Sequence, residues 1–168
     1  MMKSQVEAIN DVWKKWVDKK FSVSIAVDDY YDEYILFEGE TWLNTTTVIF
    51  KNTTATRLKL LKAVQKAIKW SNIARKNHAD TSKSLGCFVG YLGKYGEKNY
   101  MCLEFFSARG GEQTNLIITM MDCNNQFIKT TIYFDELAMK KMLITIKKIE
   151  GKFEEARKNV KKSRELFK

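Results

Sequence analysis

The sequence predicts an α+β fold: two antiparallel β-meander-plus-helix repeats, with an N-terminal helix and a long C-terminal helix. Three observations carry this reading. A block of alternating β-type residues runs into a basic amphipathic helix near residue 56, and the same sequence of events recurs near residue 135. Proline is absent and no Gly- or Pro-rich linker interrupts the chain, so residues 1–168 read as a single domain. Hydrophobic residues make up 45% and charged residues 29%, which supplies enough apolar bulk for one shared core. The first repeat is placed at 21–76, the second at 85–149, and a basic helical tail at 150–168.

The elements follow in order. Ser4 and Glu7 form a Ser-x-x-Glu capping box, in which each side chain satisfies an orphan backbone N–H at a helix start. Val6, Ile9, Trp13, Trp16 and Val17 then share one helical face, away from Lys14, Lys15 and Asp18, and the stripe reads as core. From Phe21 the period changes to two. Phe21, Val23, Ile25 and Val27 alternate with Ser22, Ser24 and Ala26, which is a half-buried strand. Residues 28–33 are rich in Asp and Tyr and read as a turn; Tyr34 to Phe37 is a strand; Glu38-Gly39-Glu40 is a second turn; Thr41 to Lys51 is a third strand. Thr54 or Thr56 caps a helix over 57–76, with Leu60, Leu61, Val64, Ala67 and Ile68 inward and Lys59, Lys62, Lys66 and Lys69 outward.

A linker at 77–84 leads to the second block. Strands are predicted at 85–91, 100–107, 113–122 and 126–134. Gly110-Gly111 and Asn124-Asn125 supply turns, because both residue types tolerate left-handed backbone angles. Asp135 caps the last helix. Met142, Ile146, Ile149, Phe153, Ala156 and Val160 recur at four and three, a heptad seam that Phe167 extends. Gly151 weakens that helix by about 1 kcal/mol relative to Ala. Each helix is expected to pack on its own sheet, and the stretch after Lys152 is expected to need a partner surface.

Chemistry is sparse. His78 is the only histidine and falls in the linker, where a solvated loop residue is the plain reading. No phosphate-binding Gly-x-x-x-x-Gly-Lys-Ser/Thr loop, dinucleotide fingerprint or nucleophile elbow occurs. Asp28, Asp29, Asp32 and Glu33 lack the spacing of a calcium loop and read as a solvated acidic turn. Cys87, Cys102 and Cys123 are odd in number and contain no Cys-x-x-Cys pair, so they read as small residues of a reduced cytoplasmic protein. No apolar leader or membrane span is read, and the sequons at Asn44 and Asn52 are then accidental. Frequent Lys, Asn and Ile without proline fit an A/T-rich genome such as that of a low-GC bacterium or its phage. The expectation is a non-enzyme without cofactor or metal.

Charge points to a partner. Lys and Arg number 29 against 20 Asp and Glu, a net charge of +9, which favours a polyanion. Tyr91, Lys94, Tyr95, Lys98 and Tyr100 place rings and cations in and beside one loop. That mixture suits an unpaired strand, whose bases stack on rings while lysines follow phosphates; edge packing is the plain alternative. Arg109 beside Gly110 adds a backbone clamp, and Thr45, Thr46, Thr47 and Lys51 can hydrogen-bond phosphates. The Lys59/Lys62/Lys66/Lys69 stripe and the run Arg157, Lys158, Lys161, Lys162, Arg164 and Lys168 either touch phosphate or only solvate their helices.

Strands Gln126 to Phe134 entering Asp135-Glu136-Leu137, within a second block spanning Leu85 to Ile149, resemble the ββββα repeat of the PC4, Whirly and Pur-alpha group of single-stranded nucleic-acid-binding proteins. The resemblance is one of topology, with no signature motif to carry over residue by residue. It implies curved sheets that present a basic, aromatic face to one strand. The N-terminal helix and heptad tail depart from that pattern. Together these readings predict a single-stranded nucleic-acid-binding protein, DNA before RNA, self-associating through the C-terminal heptad helix. The alternative is a protein-interaction regulator or inhibitor of phage or mobile-element origin that docks through the acidic turn and the heptad tail.

Overall fold

The computed structural model describes residues 2–10, 20–28, 30–40, 45–91, 99–122 and 129–166. The architecture is α+β, with two four-stranded antiparallel sheets and two helices. The first sheet runs β1 (Met2–Asn10), β2 (Lys20–Val27), β3 (Glu33–Glu40) and β4 (Thr45–Lys51), and α1 (Thr54–Lys76) follows. The second runs β5 (Thr81–Val89), β6 (Asn99–Ala108), β7 (Gln113–Asp122) and β8 (Lys129–Phe134), and α2 (Glu136–Leu166) follows. Strand order in each sheet is sequence order.

The core faces match the alternation. Phe21, Val23, Ile25, Ile35, Phe37, Val48 and Phe50 are buried from the first sheet; Met101, Leu103, Phe105, Leu116, Ile118, Met120, Ile132 and Phe134 from the second. The two sets meet directly. The Phe21 and Phe134 rings lie 5.0 Å apart, Phe50 and Phe88 6.3 Å apart, and a buried Thr46–Thr130 hydroxyl pair sits at 2.9 Å.

The helices cross over. α1 lies against β5, β6 and β7, and α2 lies chiefly against β1 and β2, so each helix covers mainly the sheet it does not follow. This corrects the expectation that each packs on its own sheet. A short connection fixes where a helix begins, but the apolar surface within reach decides what it covers. Trp70 of α1 meets Phe105 edge-on at 5.7 Å, and Phe153 of α2 is fully buried. The helices run side by side and are clamped at both ends. Arg75 pairs with Glu136 at one end, and Arg57 with Glu150 at 2.9 Å at the other.

The heptad seam is consumed inside the chain. Met142, Ile146, Ile149, Phe153 and Val160 are buried and Ala156 packs against the same core. The stretch after Lys152 therefore finds its partner surface in this protein's own sheets, and α2 continues as helix through Gly151. Phe167 lies outside the described residues. The acidic turn is likewise engaged. Lys51 pairs with Asp32 at 3.0 Å, Arg157 with Glu33, and the Arg164 guanidinium sits 4.5 Å over the Tyr31 ring. Glu33 also accepts from Asn52 at 2.6 Å, and its carboxylate beside Arg157 holds that guanidinium's proton more tightly than usual.

Several local expectations change. Met2–Asn10 is a strand, not a helix: it pairs with β2 from Met2↔Val27 to Asn10↔Lys20, with a bulge between Gln5 and Glu7. The capping box is a local signal. An open strand edge offers a whole row of backbone donors and acceptors, and pairing them outweighs it. Trp13, Trp16 and Val17 lie outside the described residues. Glu38-Gly39-Glu40 is not a turn but the end of β3; Gly39 is there because a side chain would strike Met120 of the second sheet. The α1 cap is Thr53, whose hydroxyl accepts from the Thr56 N–H at 3.1 Å. The predicted linker is shorter, since β5 starts at Thr81. Asp135 does cap α2, accepting from the Ala138 N–H at 2.8 Å. Asn124 and Asn125 lie outside the described residues.

Cys87 and Cys102 form a disulfide between β5 and β6, which corrects the reading of free thiols. Fifteen residues apart in sequence, they become direct neighbours only through strand register. No helix among the described residues is long and apolar enough to cross a membrane.

Candidate nucleic-acid interface

The core uses one face of each sheet, so the opposite faces are the surfaces left for function. On the second sheet, register assembles that face rung by rung. Val89, Tyr100, Met121 and Lys129 form one row; Cys87, Cys102, Thr119 and Thr131 the next. Ser84, Glu104, Ile117 and Tyr133 form a third, and Ser82, Phe106 and Asn115 a fourth. Among the described residues no helix lies on this side, because α1 meets the sheet through Trp70 and the core-facing Phe105. Val89 is 53% exposed and Tyr133 44%, while Tyr100, Phe106, Ile117 and Met121 are half-buried by one another and their neighbours.

The charged groups among these rows are Lys129 and Glu104. Lys129 is exposed at one end of the first row. Glu104 accepts a hydrogen bond from the Ser82 hydroxyl. Thr119 and Thr131 hydroxyls lie 3.4 Å apart across β7 and β8. Among the described residues no three His, Cys, Asp or Glu side chains gather as a metal site.

The residues expected from sequence fall in separate places. Tyr100 lies on the open face, at the β6 end nearest the loop. Lys94, Tyr95 and Lys98 lie outside the described residues; the segment that carries them leaves from Tyr91 and returns at Asn99. That stem is stitched to the first sheet. The Tyr91 N–H donates to the Ile49 carbonyl at 2.5 Å, and the Asn99 amide donates to the Thr47 carbonyl at 2.7 Å. Tyr91 has thus left the second sheet and packs on Tyr34 at 5.4 Å. Burial, then the Asp28 and Asp32 carboxylates, push the Tyr34 hydroxyl up to about 12.

Arg109 is exposed at the β6–β7 turn with φ of 56°. It stands at the opposite end of β6 from Tyr100, roughly 30 Å away at 3.3 Å per residue. The turn is braced by the Gly110 N–H donating to Asp80 at 2.7 Å. Lys59, Lys62, Lys66 and Lys69 are exposed on α1, and therefore on the far side of the second sheet from Tyr100 and Tyr133. Two of them reach back to rings: Lys59 lies 5.7 Å from the Phe88 centroid and Lys66 4.7 Å from that of Trp70. Thr46 is buried and Lys51 is paired with Asp32, so neither stands as a phosphate contact of its own.

Among the described residues, those expected from sequence therefore do not form one patch. The open face instead adds Val89, Phe106, Ile117, Met121 and Tyr133, which sequence reasoning did not single out. A signal was present. Residues 100–106 and 116–121 are apolar at both strand parities, whereas a half-buried strand needs only one. Comparison with known proteins finds no matching family model, no matching curated protein and no matching solved structure.

Proposed function

We propose that this protein is a non-catalytic single-stranded nucleic-acid-binding protein, for DNA before RNA, that lays its strand along the outer face of the second sheet. One observation carries the proposal: large apolar and aromatic side chains share one sheet face that no helix among the described residues covers, Tyr133 and Phe106 on adjacent rungs and Tyr100 beyond the rung of Cys102, Thr119 and Thr131. An unpaired base offers a flat surface to such rings, at about 1–3 kcal/mol per stacked base. The net charge of +9 supplies the long-range attraction to phosphate. Lys129 borders the face.

The finer fold reading belongs to the same proposal. Two ββββα units with identical strand order are what a duplicated repeat of the PC4, Whirly and Pur-alpha type would give, and the resemblance is retained on that ground. Self-association through the heptad helix is not carried forward, because the seam residues are buried in the chain itself.

The test is fluorescence anisotropy with labelled oligo-dT across a salt series. Binding whose affinity falls steeply and linearly on a log–log plot is expected. No binding at low salt would overturn the reading. A protein partner is the second reading, favoured by the scarcity of cations on the face itself. A nuclease-resistant partner in a pull-down, with no oligonucleotide binding, would select it. The acidic turn meets the tail through Arg157 on Glu33 and Arg164 over Tyr31, while Tyr30 stands 88% exposed.

A further inference from the structure

The disulfide lies on the proposed binding face, not in the core. Cys87 is exposed and Cys102 half-buried, in the row next to Val89, Tyr100 and Met121. Its position within β5 is specific. The β5–β6 ladder shifts register between Ser84 and Gly86, where Gly86 adopts φ of 111°. Gly86 to Val89 pair with Leu103 to Tyr100 after the bulge, and the Gly90 N–H donates to the Asn99 carbonyl at 2.7 Å before the chain turns to β4 at Tyr91. β5 is also an edge strand, with a ladder on one side alone. The cross-link therefore pins a short stretch that holds one wall of the Tyr100 row and the root of the Lys94–Lys98 segment.

From this geometry, and resting on the single-strand reading above, we infer that the Cys87–Cys102 disulfide is a reversible switch that sets affinity for an unpaired strand. The oxidised form holds the Tyr100 row and the loop root in place before binding, and so loses less conformational freedom when a strand arrives. The exposed sulfur makes it accessible. A thiolate of a dithiol reductant attacks Sγ of Cys87, the Sγ–Sγ bond breaks, and Cys102 leaves as a thiolate that takes up a proton. The second thiol of the reductant then resolves the mixed disulfide and releases Cys87, so one protein disulfide is reduced and one dithiol oxidised. A buried structural disulfide would resist this; one at an exposed position is open to exchange.

The experiment uses the full chain in three forms: air-oxidised, reduced with dithiothreitol, and Cys87→Ser/Cys102→Ser. Oligo-dT affinity is read by anisotropy, and hydrogen exchange of residues 81–91 by mass spectrometry. The oxidised form should bind roughly three- to ten-fold more tightly than the reduced form. The double serine variant should match the reduced form and ignore reductant, while Cys123→Ser should keep the full response. Exchange at 87–91 should rise on reduction. Equal affinity of oxidised and reduced protein would overturn the switch while leaving single-strand binding intact. A reductant response that persists in the double serine variant would do the same. Failure of every form to bind would overturn the single-strand reading itself, and the switch with it.

Discussion

The outer faces of the two sheets have the same topology behind them and differ in how far their large side chains are covered. On the first sheet, Ser22, Ser24, Ala26, Glu38, Thr45 and Thr47 share the outer face with Tyr34, Leu36 and Ile49, and Leu36 and Ala26 are buried there. On the second, the equivalent rungs carry Tyr100, Phe106, Ile117, Met121 and Tyr133. Both sheets give their other face to the shared core, and both are held there by a helix. The shared core therefore does not account for the difference. On the first sheet the large outer residues are covered: Tyr34 packs on Tyr91 and Leu36 is buried. On the second, Val89 and Tyr133 stay exposed and forgo the stabilisation that burial would bring, which is the ground for proposing that face as a contact surface.

The hardest way to break the comparison is through the support of the first sheet. Phe153 is fully buried where α2 packs on the sheets. Phe153→Ala should cost about 3–5 kcal/mol of stability by denaturant titration. The fraction that remains folded should bind oligo-dT unchanged, because the first sheet is framework. Next in size is Tyr100→Ala with Tyr133→Ala, which removes two rings from the open face. Affinity for oligo-dT should fall by roughly ten-fold or more per ring. Matched changes on the first sheet, Ser24→Ala with Thr47→Ala, should leave it unaltered by anisotropy. Equal effects on both faces would erase the distinction drawn here.

A smaller effect tests the helix clamp common to both sheets. Hydrogen bonds from Lys140 and then Arg75 hold the Glu136 carboxyl below its ordinary range. A folded-state pKa below the unfolded one stabilises the protein above the unfolded value, and that contribution is lost as pH falls through the folded value. Thermal stability should therefore drop below the ordinary carboxylate range, and Glu136→Gln should flatten that part of the profile. Smallest of all is the lysine stripe. Replacing Lys59, Lys62, Lys66 and Lys69 with Gln should change oligo-dT affinity by no more than about two-fold beyond the general loss of charge, because those residues stand behind the sheet. A loss as large as that of the tyrosine pair would move the binding surface to α1.

Much of the scaffold was legible because it is encoded by near neighbours. The β6 and β7 strands, the α2 cap at Asp135 and the buried arc of α1 all follow from spacings within one element. Reading failed where a residue answers to something distant. Gly39 looked like a turn and is a point of contact with Met120 of the other sheet. Ser4 and Glu7 looked like a helix start and sit in an edge strand. The heptad looked like a dimer seam and is core.

The sequence by itself determined most element types, the basic charge and the pattern of apolar residues along each strand, since these depend on backbone periodicity and side-chain chemistry over a few residues. Only the tertiary structure decided which helix covers which sheet, that Cys87 meets Cys102, and which apolar rows are left in water. Those outcomes depend on strand register and on which apolar surfaces the folded chain brings within reach, quantities that no local spacing contains.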